Sequence, residues 1–211
     1  MRRLLFALPI LVAVPLLAQM PMTAPGKPDV KLVTGGNYTV DPNHTLVGWT
    51  VDHLGFNDYF GLFGDATGTL VLDPKKPNAA KVEITIPVSK VTTASAGLTA
   101  HLLRGGKEGG KPDFFGPAPL DARFVSTSVV ASGIKAKISG NLTLNGITKP
   151  VVLDAQFVGA GKTPAMMGGK ENVGFHAKTT ILRSQFGLTN GIPLVSDAVK
   201  LTVTVAFQKA G

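Results

Sequence analysis

The strongest constraint on the fold is a strict alternation of apolar and polar residues over residues 134–144. Alternation with a period of two places successive side chains on opposite faces of a β-strand, so one face is dry and the other is wet. The run ends at Asn145-Gly146, a dipeptide that favours a tight type I′ hairpin because both turn residues adopt positive φ. The apolar parity resumes over residues 147–157. This segment therefore predicts an antiparallel hairpin with one face in a core.

The same alternation recurs along most of the chain, and segments with helical spacing are nearly absent. Further strands are predicted at residues 46–53, 69–72, 82–86, 175–181 and 199–207, and one short helix at Ser95–Arg104. Counting the runs gives about eight strands, joined mostly by short turns. We predict an all-β fold, an eight-stranded antiparallel β-barrel with one or two short helices and room inside for side chains or one small ligand. A two-sheet sandwich fits the same alternation and stays an alternative on pattern alone.

Composition excludes several classes of function. The 211 residues include no cysteine, which excludes a disulfide scaffold, a thiolate metal site and a cysteine nucleophile. The spacing of His44, His53, His101 and His176 matches no metal-binding motif, so we predict no metal and no cofactor. There is no GxSxG elbow, and Gly161-Lys162-Thr163 lacks the earlier glycine of a phosphate loop.

The formal net charge of +8 first suggests an acidic partner such as nucleic acid or anionic lipid. Nucleic-acid binding favours lysines clustered on one face among aromatic residues. Here the lysines fall singly on the polar parity of separate strands, as at Lys81, Lys135, Lys137, Lys178 and Lys200. We therefore predict no nucleic-acid partner.

The N-terminus has the pattern of a secretory signal peptide over residues 1–18. Two arginines precede an apolar stretch that is short and proline-interrupted for a membrane span. We predict export, with cleavage after Ala18 or, as the competing site, after Ala24, and no stable membrane insertion of the cleaved chain. An uncleaved N-terminal anchor is the alternative. Residues 19–36 are expected to form a flexible tether and residues 37–211 the barrel domain.

Two charged residues and one histidine fall on apolar parities. A charge on an apolar face is costly unless it is paired, so we predict an Arg183–Asp197 ion pair that closes one end of the core. A compatible functional interpretation is that Arg183, with His53, meets the polar end of a ligand at the mouth of a cavity. His53 shares its face with Val47, Trp49 and Val51, and a hydrogen-bonded core histidine is the alternative.

Several short motifs occur in a fixed order along the chain. They are Tyr38 to Thr45, Val47-x-Trp49-x-Val51-x-His53-x-Gly55, Phe60-Gly61-x-Phe63, Val88-Ser89, His101-Leu102, Phe114-Phe115, Gly140 to Val151, Arg183-Ser184-x-Phe186-Gly187 and Val195-Ser196-Asp197. Each motif alone is weak, but the ordered set resembles the YceI-like polyisoprenoid-binding proteins. The resemblance runs in order from Asn37 to Gln208.

This resemblance implies an extended, lipocalin-like barrel in the periplasm. Its hydrophobic lumen would hold a long isoprenoid-type lipid, of the quinone or polyprenyl phosphate class, without a catalytic step. The chain departs from the family pattern in the long glycine-rich connection at residues 104–112, at Gly116 and at Leu120-Asp121. If that region rims the lumen, the length or head group of the ligand differs from that of the usual prenyl lipids.

The expected ligand contacts follow from this interpretation. Residues expected at the tail are Val47, Trp49, Val51, Phe60, Phe63, Ile84, Leu142, Phe157, Phe175, Ile181 and Val203, and those expected at the polar end are His53, Arg183 and Asp197. Two other functions stay open: an enzyme that acts on a hydrophobic substrate with His53 as base, and a ligand-free, stress-related structural barrel. Homodimerisation is also left open.

Overall fold

The computed structural model describes residues 23–211, so the predicted signal peptide at residues 1–18 lies outside the described residues. The described chain contains eleven β-strands and one α-helix. In chain order they are β1 Gly36–Val40, β2 Leu46–His53, β3 Asn57–Phe63, β4 Thr67–Leu72, β5 Lys81–Ile86, β6 Val91–Thr92, α1 Ala96–Leu103, β7 Ala122–Ser132, β8 Lys135–Leu144, β9 Ile147–Lys162, β10 Glu171–Leu182 and β11 Ala198–Lys209.

The strands close into a barrel. Hydrogen bonding follows the order β1, β4, β5, β7, β8, β9, β10 and β11, and β11 pairs again with β1. Every pair is antiparallel. The segments β2, β3 and β6 continue β1, β4 and β5 beyond short breaks, so the barrel consists of eight long strands. The predicted eight-stranded antiparallel barrel is confirmed, and the sandwich alternative is wrong.

The two ends of the barrel are defined by their turns. At the upper end lie the β2–β3 turn at residues 54–56, the β8–β9 turn and the loop at residues 183–197. The β8–β9 turn has Asn145 at φ 51° and Gly146 at φ 75°, as the sequence predicted for a type I′ hairpin. The lower end carries the β4–β5, β7–β8 and β9–β10 turns and the N-terminal segment.

At the upper end the wall is completed by a helix instead of a strand. Pairing between β5 and β7 stops at Ile86 and Ala122, and above this point α1 and residues 113–115 continue the wall. The predicted helix is confirmed, and its N-terminus is capped by Ser95, whose Oγ accepts a hydrogen bond from Leu98 N at 3.2 Å. Within residues 23–211, no helix is both long enough and apolar enough to cross a membrane.

The segment expected to be a tether contacts the barrel from Lys27 onward. Strand β9 runs past its last partner in β8, which leaves backbone groups at its edge that need hydrogen bonds. Lys27 pairs with Ala160 at this edge through two backbone hydrogen bonds of 3.0 Å. Val33 is then buried in the lower hydrophobic core. These contacts close the lower end of the barrel.

A buried carboxylate, Glu171, joins the N-terminal segment to the barrel. The residue is 5% exposed and accepts hydrogen bonds from Thr34 N at 3.0 Å, Thr34 Oγ1 at 2.6 Å and Tyr38 OH at 2.7 Å. Burial alone would raise the pKa of Glu171, but the hydrogen bonds from Thr34 and Tyr38 and the charge of Lys209 hold it below its usual value. Burial, with the hydrogen bond and charge of Glu171, raises the pKa of Tyr38 to about 12.

Replacing Glu171→Gln is expected to destabilise the protein near neutral pH by about 2 kcal/mol, because the amide cannot accept all of these hydrogen bonds. The pKa of Glu171 is lower in the folded than in the unfolded protein. The carboxylate therefore stabilises the fold fully at pH values above its unfolded-state pKa of about 4.3, and this stabilisation is lost as the pH falls through its folded-state pKa. The difference in unfolding free energy between wild type and variant should therefore narrow below about pH 4. Urea unfolding at a series of pH values measures it.

Glu83→Gln is the matched control, because the Glu83 carboxylate is exposed and pairs with Arg123 at 2.6 Å. Its substitution should change the unfolding free energy by less than about 0.5 kcal/mol at every pH. A Glu171→Gln difference that stays constant from neutral to acid pH would contradict this account of the carboxylate.

Candidate functional site

The barrel encloses two apolar cavities, one above the other. The upper cavity has a volume of about 440 Å³ and the lower cavity about 280 Å³. Among the described residues, Val47 alone lines both. Val47 pairs across the sheet with Phe63, which lines the upper cavity, and with Val203, which lines the lower one. The side chain of Val47 thus marks the junction between the two.

The structure places nearly all of the predicted tail-binding residues on the cavity walls. The upper cavity is lined by Val47, Trp49, Val51, Phe63, Leu142 and Ile181, and the lower one by Val47, Ile84, Phe157, Phe175 and Val203. Phe60 is the exception: its side chain is 68% exposed on the outer face of β3. The prediction of Phe60 in the lumen is wrong because residues 60 and 63 have opposite parity on one strand.

Sequence reasoning missed part of the upper wall. Leu98 and Leu102 of α1 and the neighbouring Phe114 and Phe115 also line the upper cavity. Phe115 is held there by a hydrogen bond from its N–H to Leu102 O at 3.0 Å and by an edge contact with Phe63. The helical spacing of the two leucines and the paired phenylalanines were the available signals, but neither indicates which strands they cover.

Two large aromatic side chains pack against glycines of a neighbouring strand, and we infer that this keeps space free in the lumen. Trp49 packs on its cross-strand partner Gly61, and Phe124 packs on Gly140 of the neighbouring strand. A Cβ atom at either glycine would overlap the ring and would also lie 2.6 Å from a backbone carbonyl oxygen, that of Thr92 at Gly61 and that of Val125 at Gly140. The buried Trp49 Nε1 has no hydrogen-bond partner within residues 23–211, so packing against Gly61 sets the ring position.

Substituting Gly140→Ala is expected to push the Phe124 ring into the lumen and to shift the strand at Val125, because the new methyl group overlaps the ring and lies 2.6 Å from Val125 O. The variant should lose about 1–3 kcal/mol of stability through overpacking and bind an apolar fluorescent probe more weakly. Thermal unfolding and probe titration measure the two effects.

Gly174→Ala in β10 is the matched control, since a Cβ there makes only ordinary contacts. Both its stability and its probe binding should stay close to those of the wild type. Unchanged probe affinity in Gly140→Ala would contradict the role of the glycine in keeping the cavity open.

Arg183 faces inward, as its parity predicted, and is 5% exposed. Its guanidinium donates four hydrogen bonds to backbone carbonyls: Nε to Ser196 at 2.9 Å, Nη1 to Leu188 at 2.7 Å and Asn190 at 2.8 Å, and Nη2 to Val195 at 2.9 Å. Burial lowers the pKa of Arg183, and the charge of Asp197 opposes that shift. Arg183 therefore organises the upper loop and also lines the upper cavity.

The predicted Arg183–Asp197 ion pair is wrong. Asp197 instead accepts hydrogen bonds from Ser184 N at 2.8 Å and Ser184 Oγ at 2.7 Å, which lower its pKa. The carboxylate is not part of either cavity wall. The physical reason is that backbone carbonyls of the loop already satisfy the guanidinium, so a close carboxylate is not needed to bury the charge.

Two histidines contribute to the wall of the upper cavity. His53 is exposed at the end of β2 and forms a backbone bridge to Val195, so its predicted place at one end of an apolar cavity agrees with the structure. His101 of α1 lies 2.8 Å from Asp113 through its Nε2. The same carboxylate accepts from Arg104 at 2.9 Å, and the hydrogen bonds from Arg104 and His101 lower the pKa of Asp113. This cluster ties the segment after α1 to the helix.

Arg183→Lys is expected to destabilise the protein by about 3 kcal/mol, because a lysine cannot reproduce four donors in a planar fork. Amide hydrogen exchange should accelerate in residues 188–196, whose carbonyls the guanidinium holds. Arg123→Lys serves as the control, since Arg123 is exposed and its loss should change stability by less than about 0.5 kcal/mol. Equal stability of wild type and Arg183→Lys would contradict the anchoring role.

The sequence also matches known proteins. The model of the YceI-like domain matches residues 38–207. The chain is 37% identical over 171 residues to the Protein YceI of Salmonella arizonae, which covers 80% of this chain and 84% of that protein. The Protein YceI of Salmonella enteritidis matches with the same identity and coverage.

Solved structures share the barrel. BcnA of Burkholderia cenocepacia superposes with a TM-score of 0.64 at 22% identity, covering 79% of this chain and 98% of BcnA. The YCEI protein of Campylobacter jejuni has a TM-score of 0.62 at 28% identity, with 76% and 90% covered. A polyisoprenoid binding domain from Saccharophagus degradans has a TM-score of 0.55 at 13% identity, with 82% and 98% covered.

Proposed function

The chain belongs to the YceI-like family, and we propose that it is a non-catalytic carrier that holds a long isoprenoid-type lipid inside its barrel. We further propose that it works in the periplasm, after export directed by residues 1–18. The observation that carries the proposal is the pair of apolar cavities stacked along one closed barrel.

The shape and chemistry of the interior support a flexible apolar tail. A chain that passes the junction at Val47 would contact the upper and the lower cavity in turn. Burial of apolar surface contributes about 25 cal/mol per Å², so affinity would be spread over many wall residues. The Saccharophagus degradans domain with the same fold is described as polyisoprenoid binding, which agrees with this class of ligand.

We place the polar end of the lipid at the top of the upper cavity. His53, His101 and Arg183 line that cavity, and His53 and Asn190 are exposed where its wall reaches the surface. Because the loop carbonyls occupy most of the Arg183 donors, His53 is the side chain proposed to meet the head group first. The lower cavity is closed at its lower end by the N-terminal segment, where Val30 and Val33 line it.

The test combines lipid identification with a block at the junction. Native mass spectrometry of the wild-type protein purified without detergent is expected to show a bound isoprenoid lipid. Val47→Phe should narrow the passage between the cavities. Its affinity for long polyprenols should fall by about tenfold or more, because the tail loses burial in the lower cavity, while short polyprenols should bind nearly as before.

Val130→Phe on the outer face of β7 is the matched control, because Val130 is exposed and lines neither cavity. It should bind polyprenols of every length as the wild type does. A wild-type protein that carries no lipid and takes up none from detergent solution would overturn the proposed function.

A further inference from the structure

The upper rim of the barrel carries three exposed apolar side chains. Phe56 is 84% exposed and Leu54 43% exposed in the β2–β3 turn, and Leu194 of the upper loop is 64% exposed. Leu54 N donates a hydrogen bond of 2.7 Å to Leu194 O, so the turn and the loop are joined. We call Leu54, Phe56 and Leu194 the apolar tip.

In the β2–β3 turn, Leu54 adopts a backbone conformation that is unfavourable for a leucine. Leu54 has φ 60°, a left-handed conformation that bulky residues rarely adopt. At the same end of the barrel, the β8–β9 turn adopts the same conformation with Asn145-Gly146, which suits it without strain. The β2–β3 turn instead has Leu54 and Gly55, followed by the exposed Phe56, although asparagine tolerates the conformation of Leu54 better than leucine does. An outlier of this kind supports a role outside folding.

The apolar tip is held rigidly in place. Asp52 Oδ1 accepts from Gly55 N at 2.8 Å, and the Asp52 backbone binds Ser196 through N–H to Oγ and through the carbonyl to Ser196 N, both at 3.0 Å. These bonds fix the turn against the upper loop. The three side chains therefore project from a preformed surface and need little ordering before they contact a partner.

The apolar tip adjoins the wall of the upper cavity. His53, directly before Leu54, lines that cavity, and so does Val195, directly after Leu194. The backbones of His53 and Val195 form a bridge. One face of this rim therefore contributes to the cavity, and the next residues along both segments are exposed and apolar.

We propose that the apolar tip inserts into the interface of a phospholipid bilayer and sets the upper cavity next to the membrane. This inference rests on the proposed function, since a lipid leaving the bilayer would then enter the barrel close to the membrane surface. Three apolar side chains give weak, reversible binding, as even a single acyl chain binds only marginally. Weak binding suits a carrier that must leave the membrane again.

Charge also favours a phospholipid surface as the partner. Without Arg2 and Arg3 of the proposed signal peptide, the exported chain has 19 Lys and Arg against 13 Asp and Glu, a formal net charge of +6 that attracts anionic lipid head groups. Lys107 and Lys111 are exposed in the connection between the two segments that cover the upper cavity, with Glu108 between them. Two carboxylates lie close to the apolar tip. That of Asp52 accepts a hydrogen bond from Gly55 N, and that of Asp58 lies 3.9 Å from the ammonium group of Lys200.

Flotation with vesicles of phosphatidylcholine and phosphatidylglycerol in equal amounts tests the inference. The tip variant combines Leu54→Asn, Phe56→Ser and Leu194→Ser, and Asn at position 54 suits the left-handed turn, so the fold should be kept. The control variant combines Val130→Ser, Met166→Gln and Met167→Gln, which removes comparably exposed side chains from the outer wall and the lower end. All proteins are purified after export from the same host and share one N-terminus.

Wild type and control are expected to float with the vesicles, and the tip variant should bind them about tenfold more weakly. The tip variant should also extract a fluorescent polyprenol from vesicles more slowly, while its affinity for the same polyprenol in detergent stays unchanged. A tip variant that floats like the wild type overturns the inference. A wild type that fails to float also overturns the inference. Light scattering of the wild type and the tip variant then shows whether the tip instead joins two copies of the chain.

The two proposals fail in different ways. If the wild type takes up no polyprenol from detergent, the proposed function fails, whatever the vesicles show. If it takes up polyprenol and the tip variant extracts it from vesicles at the same rate, the docking inference fails while the carrier function stands.

Discussion

Hydrogen bonds from β11 to β1, and to β2 that continues β1, close the sheet into a barrel. Tyr38, Thr39 and Val40 pair with Lys209, Gln208 and Phe207, and this joins the two ends of the domain into one closed sheet. Closure removes the free edges of an open sheet and fixes which face of every strand points inward. An open sheet would have no enclosed interior, so the cavities exist because the first and last strands meet.

Space inside the barrel depends on small residues placed opposite large ones. Protein interiors normally pack without large voids, and a void forfeits contacts on its walls. Here Gly61 and Gly140 let Trp49 and Phe124 lie against the wall instead of across the lumen. Polar networks stabilise the two ends: Glu171 holds the N-terminal segment below, and Arg183 holds the loop above. The two ends of the barrel are thus stabilised by polar networks, while the glycines keep space for a ligand between them.

Local patterns made most of the barrel predictable, whereas contacts between distant segments were not. The β8–β9 hairpin could be predicted because alternation and the Asn-Gly turn are local signals. The inward position of Arg183 followed from parity, but its partners did not, because backbone carbonyls in the upper loop have no side-chain signature. The prediction for Phe60 failed because the family resemblance points to residues along the chain but does not show which face of a strand each side chain lies on. The pairing of Lys27 with Ala160 joins segments far apart in the sequence.

We propose that the barrel encloses a preformed lumen and that one apolar chain occupies it across both cavities. A crystal structure of the protein purified without detergent tests this most directly. We expect elongated electron density that runs from the upper cavity past Val47 into the lower one, with Trp49 and Phe124 still packed against Gly61 and Gly140. A lumen closed by inward rotation of these rings, with no density for a ligand, would contradict it.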